Sequence, residues 1–227
     1  MKQKMLVTPR YNVKKLFEEL RHKIISLKFI PGQMISENDI AGSYGVSRTI
    51  VRGALQKLKN ENLVVVFPQR GTYVSYLNYR QIMDLVYMRS VVEYDICRQI
   101  KNKLDLQVRE KLERNLLKQE NVCASIDNIY EFNKYDEEYH QIYYEAAGRK
   151  YCWSFMQQFQ ASYIRYRLLD MIEIGNLKEV YSEHVEIFNV ITGAGKANLR
   201  EVVDRHISGN IVRLEEKIKT IYKDYFA

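Results

Sequence analysis

The sequence predicts a mainly α-helical protein in which a small N-terminal domain of helices and a β-hairpin precedes an all-α antiparallel bundle. Apolar residues recur at helical spacing through most of the 227 residues. Runs rich in β-branched and aromatic residues, LVVVF and TYVSYL, fall only between residues 63 and 77. No proline follows residue 79, so long helices can form there. We expect domains at residues 1–76 and 79–227.

The N-terminal domain begins with an amphipathic helix and continues with two shorter ones. Residues 11–27 place their apolar side chains on one helical face. In SENDIAGSYG, Ser36 precedes Asp39 by three residues, which resembles a capping box, and Gly45 ends the helix. Ser47 can cap the next helix, RTIVRGALQKLKNEN. The PQRG segment between the two β-rich runs favours a hairpin, the wing of this domain.

The positive charge of the chain is concentrated in this domain. The net charge is +7, and residues 1–76 hold 13 Lys and Arg against 5 Asp and Glu, whereas residues 77–227 hold 22 against 23. A basic segment joined to a neutral one indicates a polyanion-binding module joined to a domain with another task. A charge imbalance can also serve solubility alone, so the motifs must decide between the two.

Two helices around a tight turn, followed by a hairpin, form the winged helix-turn-helix pattern, whose second helix enters the major groove of DNA. Arg48 and Arg52 lie one turn apart on that helix, opposite Val51. Each can bind a guanine edge or a phosphate. They could equally be solvated arginines on an ordinary surface helix, but the charge imbalance, the turn and the hairpin together favour DNA.

The stretch ISENDIAGSYGVSRTIVRGALQKLKNENLVVVFPQRGTYV resembles the winged helix of the GntR family of bacterial transcription regulators. The resemblance covers residues 10–76 and implies that arginines of the second helix contact a double-stranded operator, with the wing tip near the minor groove. Ile50 and Gly53 depart from the usual Pro and Glu, and Gly53 costs a helix about 1 kcal/mol relative to Ala. The candidate DNA-binding residues are Ser36, Ser47, Arg48, Thr49, Arg52, Arg70, Gly71 and Thr72.

Three of the four histidines fall in separate helices of the second domain, and each lies on an inward face. They are His140, His184 and His206, and Asp136 lies one turn before the first of them. One inward histidine is usually an ordinary core residue. Three with a carboxylate are hard to satisfy by hydrogen bonds alone, and this donor set suits a divalent transition metal such as zinc or nickel.

Residues 79–222 resemble the FCD ligand-binding domain of the FadR-like subfamily of GntR regulators. The D-x3-H element and the two later histidines match its metal-binding version. The resemblance implies that the metal helps to hold a small carboxylate effector, assisted by an arginine of the first helix, here Arg89. Arg89 could instead form a surface ion pair with Glu93. Tyr143 is a further effector-binding candidate. Arg165, Tyr166 and Arg167 are weaker ones, because adjacent residues of a helix cannot all face inward.

Other features narrow the function. The start of the chain lacks the apolar stretch of a signal peptide and no run could cross a membrane, so we expect a cytoplasmic protein without a membrane partner. The cysteines lack metal-binding or redox spacing. We therefore expect a transcription regulator and not an enzyme, and a homodimer, because helix-turn-helix proteins read paired half-sites.

Two alternatives remain open. A metal-dependent enzyme acting on a small acid would use the same side chains, although no HExxH motif accompanies the histidines. A regulator with structural histidines would bind an acyl-type ligand or none.

Overall fold

The computed structural model describes residues 11–227, apart from the side chains of residues 210 and 212. The described chain forms two compact units, with the division between Tyr76 and Leu77. No helix in the described part of the chain is long and apolar enough to span a membrane.

The first unit contains three helices and a small antiparallel sheet. Its elements are α1 (Val13–Ile25), β1 (Met34–Ile35), α2 (Glu37–Tyr44), α3 (Arg48–Asn60), β2 (Val64–Phe67) and β3 (Gly71–Val74). Ser36 and Ser47 cap α2 and α3 through their side chains, because each hydroxyl accepts a bond from a backbone N–H one turn later. The sheet has the order β1-β3-β2. Strand β1 was not predicted, because a two-residue strand leaves almost no sequence pattern.

The core of the first unit lies between α1 and α3. Leu16, Leu20 and Ile24 of α1 are fully buried, as are Val51 and Leu58 of α3. Gly53 has a packing role here: a Cβ at this position would lie only 3.0 Å from a methyl group of Val13. Gly53, whose low helix propensity weakens α3, therefore allows α1 and α3 to approach closely.

The second unit consists mainly of α-helices joined by turns. Its helices are α4 (Tyr79–Ile100), α5 (Leu106–Val122), α6 (Ile129–Ala146), α7 (Lys150–Gln157), α8 (Ala161–Ile174), α9 (Leu177–Thr192) and α10 (Leu199–Thr220). About six helices were expected from the sequence. The additional break falls at residues 158–160, where the chain has no Gly or Pro to mark it.

Helix α8 is the buried centre of the second unit. Residues 163–171 are buried without exception, because α4, α6 and α10 all pack against this helix. The consecutive residues Arg165, Tyr166 and Arg167 therefore all face the protein interior. The argument that neighbouring residues of this helix cannot all face inward is wrong, since it assumed one exposed side.

The residues after α10 return to the beginning of the second unit. Leu77 donates its backbone N–H to the carbonyl oxygen of Tyr225 at 2.8 Å, and Ala227 donates to that of Leu77 at 3.1 Å. The Phe226 ring packs edge-on against Tyr79 of α4. The segment that follows α10, the helix that carries His206, is thus hydrogen-bonded to Leu77, the residue at which the second unit starts.

Candidate DNA-binding surface and metal centre

The N-terminal part of α3 presents two exposed arginines that share one acidic partner. Glu37, the first residue of α2, accepts a hydrogen bond from Arg52 Nε at 3.0 Å and one from Arg48 Nη2 at 3.2 Å. Partial burial raises the pKa of the Glu37 carboxyl, but the bonds from the two arginines lower it below its ordinary value overall. The carboxylate therefore stays ionised and holds both guanidinium groups beside the N-terminus of α3.

Sequence reasoning missed Glu37. Its position in the first turn of α2 indicated only an acid favoured by the helix dipole. That it reaches Arg48 and Arg52 depends on the angle between two helices, which the spacing of residues does not give.

Most of the other candidate DNA-binding residues are accessible. Thr49 is exposed beside Arg48, and Arg70 and Gly71 are exposed at the turn between β2 and β3. Gly71 has φ +113°, a conformation that favours glycine. Ser36 and Ser47 are engaged as helix caps.

Thr72 is the least accessible of the candidate DNA-binding residues. It is only 8% exposed, because successive residues of β3 alternate between the two faces of the sheet and Gly71 takes the outer position. The Thr72 side chain therefore faces the interior of the unit, while its neighbour Gly71 is exposed at the turn.

In the second unit, four predicted metal ligands converge. Asp136, His140, His184 and His206 offer ligand atoms that all lie within 4.8 Å of one another. Nε2 of His206 is 3.2 Å from Nε2 of His140 and 3.2 Å from Nε2 of His184. A carboxylate oxygen of Asp136 lies 3.4 Å from Nε2 of His184. Helices α6, α9 and α10 thus bring the four side chains to one place.

Each imidazole is oriented by a hydrogen bond from its other nitrogen. Nδ1 of His184 lies 2.6 Å from the amide oxygen of Gln119 on α5, and Nδ1 of His206 lies 2.9 Å from the Glu183 carboxylate. Nδ1 of His140 lies 2.8 Å from the carboxylate of Glu93 on α4. With a proton on each Nδ1, all three Nε2 lone pairs point at a common centre.

Burial keeps the imidazoles of His184 and His206 in the neutral form that can bind a metal cation. Burial lowers the pKa values of His184 and His206 well below the ordinary range, so both rings are neutral at pH 7. Burial has the opposite effect on the carboxyl of Glu183, whose pKa it raises to about 7. Neutral imidazole is the form that ligates metals.

The spacing of these atoms fits a small divalent ion. Donors bound at 2.0–2.1 Å in a tetrahedral arrangement are separated from one another by roughly 3.3 Å. The two Nε2 separations of 3.2 Å and the Asp136–His184 separation of 3.4 Å are close to that value, while an Asp136 oxygen lies 3.9 Å from Nε2 of His140 and all the ligand atoms lie within 4.8 Å of one another. Three imidazole nitrogens and one carboxylate form a donor set that suits zinc and nickel.

The effector-binding candidates lie around this cluster. Arg89 donates from Nε to Glu93 at 2.7 Å, and the pair is buried, so the surface ion pair considered from the sequence is in fact an interior one. The hydroxyl of Tyr143 donates to the second oxygen of Glu93 at 2.6 Å and also contacts Nδ1 of His140. Arg165 is fully buried and donates from Nε to the Ala161 carbonyl oxygen at 3.1 Å.

Arg167, one of the weaker pocket candidates named from the sequence, contacts the cluster directly through Asp136. Its Nη1 and Nη2 donate to the two oxygens of Asp136 at 2.6 and 2.8 Å, a bidentate pair in the interior. Burial raises the pKa of the Asp136 carboxyl, but Arg167 and the neighbouring histidines bring it well below the ordinary range. The only signal in the sequence was that a second arginine follows Arg165 on α8.

The fold and the paired arginines of α3 define a winged-helix DNA-binding protein with an additional helical domain. The family described as “Bacterial regulatory proteins, gntR family” matches residues 12–74, and the FCD domain matches residues 84–209. The chain belongs to the GntR family of bacterial transcription regulators and carries an FCD domain.

Relatives agree with this assignment over most of the chain. A helix-turn-helix transcriptional regulator from an unstable DNA locus of Streptomyces ambofaciens is 30% identical, covering 87% of this chain and 83% of the relative. The gluconate operon transcriptional repressor of Bacillus subtilis is 25% identical, with coverage of 90% and 84%. The structure of Escherichia coli McbR/YncC, 19% identical, has the same fold, with a TM-score of 0.70 over 90% of this chain and 97% of that one.

We expect Arg48→Ala to weaken binding to the operator by about 1–3 kcal/mol if Arg48 reads a guanine, and Arg52→Ala to do the same if it reads a base. Affinity is measured by fluorescence anisotropy on an operator duplex at fixed salt. Arg205→Ala, which removes an exposed arginine of α10, is the matched control. Unchanged operator affinity in both α3 variants would contradict the proposed docking of this helix.

Glu37→Gln should lower the ratio of operator affinity to affinity for an unrelated duplex by about fivefold, or roughly 1 kcal/mol. The substitution removes the charge that holds Arg48 and Arg52 in one arrangement, so both gain freedom and bind phosphates less selectively. Asp39→Asn makes the same charge change at an exposed acid of α2 and should preserve the ratio. Equal ratios in the two variants would show that Glu37 does not orient the arginines.

Proposed function

We propose that this GntR regulator binds a divalent transition metal and a small carboxylate effector in its helical unit, and that the effector changes its affinity for operator DNA. The protein acts as a cytoplasmic homodimer on paired half-sites. It is a repressor that the effector releases, a role in line with the repressor name of the Bacillus subtilis relative.

The observation that carries the metal part of the proposal is the convergence of three Nε2 atoms whose rings are each oriented through Nδ1. Three lone pairs directed at one point repel one another, and a cation at that point removes the repulsion. His140, His184, His206 and Asp136 would hold the ion. The bound ion would supply a positive charge that attracts a carboxylate.

The arginines near the cluster support a carboxylic acid as the second ligand. Arg89 uses Nε for Glu93, and among the residues that the structure describes no acceptor bonds its Nη atoms. The guanidinium groups of Arg89 and Arg167 both lie against the ring of Tyr163, at 4.9 and 5.9 Å from its centre. Two buried cationic groups near one aromatic ring provide the bidentate donors that a carboxylate prefers.

A thermal-shift screen of tag-free protein tests this function. Zinc and nickel are each combined with acetate, gluconate, other sugar acids, hydroxy acids and dicarboxylates, and a ligand that binds the folded state raises the Tm. We expect a metal to raise the Tm and at least one acid to raise it further. Protein that holds no metal by elemental analysis, even after zinc or nickel is added, would refute the metal site.

His184→Ala should weaken metal binding by at least about 100-fold, since it removes a ligand and not merely a neighbour of one. The acid response should be lost with the metal, while operator binding without metal or acid remains. His206→Gln, which keeps side-chain volume, should behave in the same way, and His22→Ala in the first unit is the control. A normal acid response in both cluster variants would exclude the metal-anchored mechanism.

The same preparations separate the alternatives. A metal-dependent enzyme would convert a candidate acid over many turnovers, so product formation in excess of enzyme would support that class. A regulator with structural histidines would respond to no metal, and its operator affinity would not depend on one.

A further inference from the structure

The pairing of Arg167 with Asp136 poses an electrostatic problem for the metal site. Both oxygens of Asp136 accept hydrogen bonds from the guanidinium group, and the two side chains are 1% and about one tenth exposed. In this arrangement the buried positive and negative charges neutralise each other. The negative charge of the same carboxylate would also have to compensate a divalent ion bound at the cluster.

A metal would therefore leave the charge of Arg167 uncompensated in the interior. An unpaired buried charge is unfavourable, and the other buried acids around the cluster are already engaged: Glu93 accepts bonds from Arg89 and Tyr143, and Glu183 lies 2.9 Å from Nδ1 of His206. Solvent cannot readily compensate, because α8 is buried over residues 163–171. An anion that enters with the metal restores the balance.

The geometry points to Arg167 as the residue that couples the two ligands: it pairs with Asp136 in the metal-free protein and with the carboxylate of the acid when the metal is bound. This inference rests on the proposed function and adds to it that binding of the acid depends on binding of the metal. The acid binds weakly without the metal, and each ligand raises the affinity for the other by the same factor, as linkage requires.

The position of Arg167 supports this exchange. Its guanidinium group bonds Asp136 of the cluster and lies 5.9 Å from the centre of the Tyr163 ring, and the guanidinium group of Arg89 lies 4.9 Å from the same centre. In the proposed exchange, the Arg167 side chain rotates so that its donors turn from Asp136 to the acid, close to Arg89. The acid would then be held by two arginines as well as by the metal.

The test measures zinc affinity by competition with a chromophoric chelator, using acetate and gluconate as acid probes against matched chloride. In the wild type we expect an acid to raise zinc affinity on the order of tenfold. In Arg167→Gln the factor should fall to about 1, because the residue that needs the anion is absent. Zinc affinity without acid should be equal to or higher than in the wild type, since no cation competes for Asp136.

The Tm provides a second readout, which still tests the inference if the variant is less stable than the wild type. Arg167→Gln leaves the Asp136 carboxylate buried without its partner, so its metal-free Tm should fall, and zinc should raise the Tm by more than it does in the wild type. Arg167→Lys keeps the charge but not the bidentate donors and should give an intermediate coupling factor. Arg205→Gln makes the same charge change at an exposed site next to His206 and should match the wild type.

The outcomes distinguish this inference from the proposed function. Wild-type protein that binds zinc and an acid, with an undiminished coupling factor in Arg167→Gln, would overturn the role of Arg167 and leave the metal and acid sites standing. Wild-type protein that binds no zinc would overturn both. Zinc binding that neither acetate nor gluconate strengthens would overturn the coupling together with the acid part of the function.

Discussion

The second unit depends on one constraint: three imidazoles must direct their Nε2 atoms at a shared point while each Nδ1 keeps an acceptor. The ligands come from α6, α9 and α10, and acceptors come from α4, α5 and α9. Arg167 adds α8 through Asp136. Six helices therefore contribute a side chain to one polar cluster, and an apolar core alone would not fix their rotations about their axes so closely.

The sequence predicted that Asp136 and the histidines face inward together but did not predict which groups bond them, and the reason is physical. Asp136 and His140 are one helical turn apart, and His184 lies within an apolar stripe, so periodicity alone places them inward. Gln119 and Glu93 approach the histidines from positions 65 and 47 residues away along the chain. Such contacts follow from the packing of helices, on which local spacing carries no information.

Helix α8 shows a second limit of sequence reasoning. Residues 163–171 mix Tyr, Arg, Asp and apolar side chains without an amphipathic face, because neighbouring helices surround them. A helix buried on all sides has no periodic pattern that separates ligand-binding residues from packing residues. Arg167 was therefore indistinguishable from Arg165 in the sequence, although of these two arginines only Arg167 pairs with Asp136. The three-residue interruption before α8 also escaped prediction, since residues 158–160 contain no Gly or Pro.

The two units share a principle for their arginines. Glu37 holds Arg48 and Arg52 at the surface of the first unit, and Asp136 holds Arg167 in the interior of the second. An anion that binds these arginines, as we propose for DNA and for the acid, must replace or share an intramolecular carboxylate, so part of the binding free energy is offset by the bonds it disrupts. The net loss of binding free energy is larger for a ligand with few or poorly placed acceptors than for a ligand whose bonds are equivalent to those it replaces. Pairing an arginine with an internal acid in the free protein therefore lowers the affinity for every anion, and lowers it least for the anion of the correct shape. Under the proposed function, Glu37 and Asp136 are thus determinants of selectivity.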